Sequence, residues 1–155
     1  MRQFALFIVF IFFIIGCGDS GTENPNKTIK PKAERKEKPA EADPKGVGKY
    51  TSVELNNPLN TEMVAAGKTT YEVKCAACHK LTDKRVVGPG WAGVTERRSP
   101  EWIMNMVTNV EEMLAKDPEA KKQLKECLVR MPNQNLSDED ARAVLEFMYK
   151  NDEGK

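Results

Sequence analysis

Cys75-Ala76-Ala77-Cys78-His79 sets two thiols three residues apart with an imidazole directly behind the second, and His79 is the only histidine in the 155 residues. The spacing has a chemical meaning. Each thiol can add across one vinyl group of a porphyrin to give a thioether, and the next residue can then turn its imidazole toward the iron. This is the attachment signature for c-type haem, whose iron is commonly held by a proximal histidine. With one histidine in the chain, bis-histidine ligation and any separate histidine base are ruled out. A Cys-x-x-Cys pair also serves thiol redox chemistry or half a zinc site. The redox pair needs a βαβ setting, and no convincing alternating β-branched run is present. Zinc needs two further ligands, for which only Cys127 and an awkwardly adjacent His79 remain beyond the N-terminal segment. Cys75, Cys78 and His79 are therefore expected to hold one covalent haem c.

The N-terminus bears on the same chemistry. Arg2 precedes twelve unbroken apolar residues, Phe4 to Ile15. A membrane span needs about 20, so residues 1–16 fit the apolar core of an export signal instead. Ile14-Ile15-Gly16-Cys17 resembles the bacterial lipoprotein box, which implies cleavage before Cys17 and lipidation of that cysteine. Several acyl chains on one residue anchor stably, where a single chain binds weakly. The alternatives are an ordinary signal that leaves Cys17 free, or a retained transmembrane helix. Bacterial c-type haem is attached outside the cytoplasmic membrane, so export and the haem motif support each other. The expected location is a membrane-anchored lipoprotein facing the periplasm or cell exterior. Cys127 is left over. It lies in a helical pattern with Leu124 and Leu128 and is expected to be a buried, inert thiol.

Between anchor and domain, residues 17–49 read as a flexible tether. Lys, Glu, Pro and Ala dominate Lys27 to Lys45, with no large apolar residue after Ile29. Such a composition cannot bury enough surface to offset the entropy of folding. Residues 50–155 form a single expected domain, with fifteen Lys/Arg against seventeen Asp/Glu. That balance argues against a nucleic-acid partner, which would call for a basic face.

Four helical segments are expected to position the motif. The first runs from Thr61 to Cys75, where Gly67 inside the helix points to a close helix crossing. The second opens at Ser99-Pro100 with an apolar stripe of Trp102, Ile103, Met106, Val107, Val110, Met113 and Leu114, which leaves Met104 toward the polar side. Asp117-Pro118 opens the third. Ser137, with Asp140 three residues on, opens the last, which carries Phe147.

This order of parts resembles the small class I monohaem cytochrome c family over nearly all of residues 50–151. The parts that carry the likeness are Gly67 and Tyr71, the Cys75–His79 motif, Val87-Gly88-Pro89-Gly90, Met131-Pro132 and Phe147. The resemblance implies an all-α fold of about four helices wrapped round one haem. It implies that the Pro89 carbonyl accepts a hydrogen bond from His79 Nδ1, and that a methionine loop supplies the distal ligand. Met131 alone of the seven methionines stands in a loop fixed by proline, so His79 and Met131 are the expected iron ligands. Trp91 either covers the haem or packs in the core. The chain departs from the pattern in length, with an extra charged helical stretch over 111–130.

The implied function is single-electron transfer between exported redox partners, a donor and an acceptor. The stretch Pro100 to Ala141 looks like small lipoprotein cytochromes that accompany respiratory reductases such as nitrous-oxide reductase. Lys74, Lys80, Lys84 and Arg85 flank the motif and could steer an acidic partner. A monomer without a small-molecule substrate is expected, an electron carrier rather than an enzyme. The rival is a peroxidase-like enzyme or gas sensor with an open sixth iron position.

Overall fold

The computed structural model describes residues 43–153. The expected signal 1–16, the lipidation site Cys17 and the tether up to residue 42 lie outside the described residues.

Six helices follow one another: α1 (Thr61–Lys74), α2 (Val94–Arg97), α3 (Pro100–Thr108), α4 (Val110–Lys116), α5 (Pro118–Cys127) and α6 (Asp138–Asp152). No strand occurs among the described residues; one isolated antiparallel bridge joins His79 to Arg85. The starts obey local chemistry. Asn60, Ser99, Asp117 and Ser137 each accept backbone N–H groups of the first turn that follows, satisfying donors a helix leaves orphaned.

Six helices rather than four reflect two departures from the expected pattern. The short α2 was not anticipated, and the second expected helix is broken at Asn109, whose φ of −141° and ψ of 48° leave the helical region. Its N–H still bonds Asn105 O, and its carbonyl accepts from Met113 to begin α4. Asparagine competes for backbone partners and suits such a junction. Met104 is 1% exposed rather than turned to the polar side, because α3 is buried from Trp102 through Val107.

The α1–α6 crossing is the principal helix contact. Gly67 lies at its centre, and a Cβ there would sit 2.0 Å from the Ala143 carbonyl oxygen. No side chain fits, which is why a residue unfavourable in helices stands there.

Residues 43–49, expected in the tether, pack instead on α3 and α4, so the domain begins ahead of Tyr50. Buried Asn105 donates to the carbonyls of Lys45 and Tyr50 at 2.9 Å each and accepts from the Tyr50 N–H at 3.0 Å. The Val47 N–H donates to Met113 Sδ at 3.0 Å. A Cβ on Gly48 would lie 2.2 Å from Asn105 Oδ1, so glycine allows the approach. Further on, fully buried Glu146 accepts from Asn56 Nδ2 at 2.9 Å and pairs with Arg142 at 2.6 Å. The whole segment ahead of α1 is thereby strapped to the helices.

Candidate haem site

α1 delivers the first thiol. Its last turn continues through Cys75 N–H to Tyr71 O, and the Cys78 and His79 N–H groups both return to Cys75 O at 3.1 and 2.9 Å. That tight turn places both sulfurs and the imidazole on one short arc. Cys75 is buried and Cys78 half-buried, neither in a disulfide. Burial pushes the Cys75 thiol up to about 11, with Cys78 adding to the shift and Lys74 opposing it. It is a protonated thiol at neutral pH.

His79 is held from several directions. Its carbonyl accepts the Tyr71 hydroxyl at 2.8 Å, and Gly88 N–H bonds the adjoining Cys78 carbonyl at 3.0 Å. Nδ1 lies 2.8 Å from the Pro89 carbonyl oxygen. A carbonyl only accepts, so Nδ1 carries the proton and Nε2 keeps a free lone pair. Burial lowers the histidine pKa below its ordinary value, with the Pro89 bond opposing. The ring is thus the neutral donor a metal requires. Gly88 makes the room: a Cβ there would lie 2.4 Å from His79 Cε1.

Two adjoining cavities open from this arc. The smaller, about 90 Å³, is lined by Cys75 and Cys78; the larger, about 300 Å³, reaches back to Trp102 and Met148. His79, Trp91, Val107, Val129 and Met131 line both. Met131 is the one methionine shared by the two walls, since Met106 and Met148 face the larger cavity alone. Trp91 packs in the core and also lines the cavities: it is 6% exposed, with its ring tilted against Tyr71 at 4.9 Å and His79 at 5.7 Å between centroids.

The residues fit a haem. Two thiols stand beside an apolar cleft, a neutral imidazole and a thioether share its walls, and Arg85, Arg97, Arg98 and Lys122 line the larger cavity with cations suited to carboxylates. A family model described as Cytochrome c matches residues 64–152. The chain belongs to the cytochrome c family.

A cytochrome c domain of this size carries a single, covalently bound haem c and acts as a haem electron carrier. This cytochrome is similar to cytochrome c from Rhodothermus marinus, at 32% identity and a TM-score of 0.69, covering 73% of this chain and 100% of that one. It is also similar to an engineered cytochrome c from the same organism, at 32% identity and a TM-score of 0.68, covering 72% and 100%. A third structure is that engineered protein bound to a carbene intermediate, again 32% identical, with a TM-score of 0.65, covering 72% and 100%. No curated protein matches the sequence.

Cys127 differs from its expected buried state. It is half-buried, lines the larger cavity and accepts a hydrogen bond from Arg85 Nη2 at 3.2 Å. The extra stretch 111–130 takes in nearly all of α4 and the whole of α5, and α5 forms part of the cavity wall through Glu119, Lys122, Gln123, Leu124, Glu126 and Cys127. The Arg85 contact carries no local sequence signal, because its partners Glu126 and Cys127 lie 41 and 42 residues away.

Proposed function

We propose that this cytochrome is a lipid-anchored electron carrier on the periplasmic or outer face of a membrane, with its iron held between His79 and Met131. One observation supports that ligand pair above the rest: His79 and Met131 line both halves of the cleft beside Cys75 and Cys78. When bound, the haem supplies one-electron exchange at iron. The chain's own residues set the terms. Pro89 fixes the tautomer of His79 and raises its basicity, Gly88 gives the ring its space, and Trp91 and Val107 help to keep water out. Met131 offers a soft thioether, a donor that favours reduced iron and raises the potential. With His79 and Met131 both engaged by the iron, oxygen and peroxide would find no open seat.

The partners we propose are an exported donor and an exported acceptor of the reductase kind, met by the chain as a monomer. Cys17 would carry the lipid. Among the described residues no helix is long and apolar enough to cross a membrane.

The decisive experiment is Met131→Ala in the haem-loaded protein. Its reduction potential should fall and its ferrous form should take up carbon monoxide readily. An unchanged spectrum and potential would mean that Met131 is not a ligand, which would favour the rival reading of an open iron.

A further inference from the structure

Arg85 links the histidine segment to the end of α5, four residues ahead of Met131. Its backbone pairs with His79 in the isolated antiparallel bridge. Its side chain reaches across to the end of α5, where Nη1 donates to the Glu126 carbonyl at 3.2 Å and Nη2 to Cys127 Sγ at 3.2 Å, with the Glu126 carboxylate 3.8 Å away. Four residues beyond Cys127 comes Met131.

The end of α5 needs such a partner. Helix carbonyls at a C-terminus lack intrahelical donors, and a cation there also meets the favourable end of the helix dipole. A glycine commonly closes such a helix in the left-handed region. Here Leu128 adopts that conformation, at φ 59°, with 86% of its surface exposed. α5 buries only Ala120, so apolar packing does little to hold its end. Its N-terminus is tied by Asp117 to Trp102 Nε1 at 3.2 Å and by Glu119 to Arg98 at 3.0 Å. Its C-terminus has Arg85.

We infer that Arg85 is a positioning residue for the methionine ligand: a staple from the histidine segment to the close of α5 that keeps Met131 over the cleft. The inference rests on the His79/Met131 reading and assigns that site its retention device. The fork of the guanidinium matters as well as its charge, because two acceptors are held at once.

Carbon monoxide uptake by the ferrous holoprotein tests this. A thioether ligand must leave before the gas binds, so the observed rate scales with the fraction in which Met131 is away. Arg85 is about half-exposed, and solvent screens its ion pair. Losing its two hydrogen bonds should therefore raise the rate by only about five-fold in Arg85→Ala. Arg85→Lys, which keeps the charge without the fork, should also be faster than the parent, and it serves if the alanine variant yields no holoprotein. In a Met131→Ala background, Arg85→Ala should add nothing further.

Parental rates in both Arg85 variants, with Met131→Ala fast, would overturn the staple and leave the ligand reading standing. Full rescue by lysine would reduce Arg85 to a surface charge and overturn it too. If Met131→Ala itself changed nothing, the ligand reading would fall and the staple with it. An equal effect of Arg85→Ala with and without Met131 would show that it acts elsewhere.

Discussion

Replacing Gly67 with alanine puts one methyl group into the α1–α6 crossing, and the structure allows its effect to be worked out. The new Cβ would stand 2.0 Å from the Ala143 carbonyl oxygen, 2.5 Å from its carbon and 2.9 Å from Phe147 Cβ, where ordinary contact begins near 3.4 Å. The shortfall is about 1.4 Å, and the obstacle is helix backbone, which has no rotamer to change. Alanine returns about 1 kcal/mol through helix propensity. Overpacking costs typically about 1–3 kcal/mol and occasionally more, and a backbone collision belongs at the upper end. The net loss should be about 2 kcal/mol, which for a domain of this size lowers Tm by roughly 8 °C or more. Thermal unfolding of the holoprotein, followed by far-UV circular dichroism and haem absorbance together, measures it. Ala65→Ser, two residues away on an exposed position of the same helix, should stay within about 0.5 kcal/mol of the parent. A Gly67→Ala protein as stable as the parent, or more so, would refute the claim that this crossing admits no side chain.

Two further outcomes concern the strap ahead of α1. Glu146→Ala should cost about 3–5 kcal/mol in denaturant unfolding, because it leaves the largely buried Arg142 guanidinium unpaired and takes the acceptor from Asn56 and Asn60; a loss below about 1 kcal/mol would show that the pair is dispensable. Burial raises the Glu101 carboxyl, but bonds from its own and the Val53 N–H and from Ser99 outweigh it and hold the pKa below the ordinary value. The folded value is the lower one, so its support is complete above the unfolded value and lost as pH falls through the folded value. Protection of the Val53 amide, which donates to Glu101 at 3.1 Å, should fall over that acid window in hydrogen exchange. Glu101→Gln should flatten the dependence, and an unchanged acid profile in that variant would contradict the assignment.

Much of the haem site could be read from the chain because its chemistry is local. Two cysteines and a histidine within five residues state an attachment by themselves, and Gly88-Pro89 lies only nine to ten residues on. The starts of α3, α5 and α6 were equally plain, since Ser99, Asp117 and Ser137 act within a turn of themselves. Gly67 announced a crossing through the residue type alone, although its partner Ala143 could not be named. The break at Asn109 was not legible, because the apolar stripe runs through it without interruption. The tether was drawn too long for a related reason: residues 43–49 are polar and glycine-rich, and what binds them is Asn105, about sixty positions away.

By itself the sequence determined which atoms can bond a haem, where most helices begin and that one crossing must be close, all consequences of spacing and caps that operate over a few residues. Tertiary structure alone decided that Glu146 closes the strap, that Met131 shares the cleft walls with His79, and that Arg85 reaches the end of α5. Those are encounters between polar or apolar groups far apart in the chain. Their free energy exists only once folding has removed the water between them, and no local pattern records it.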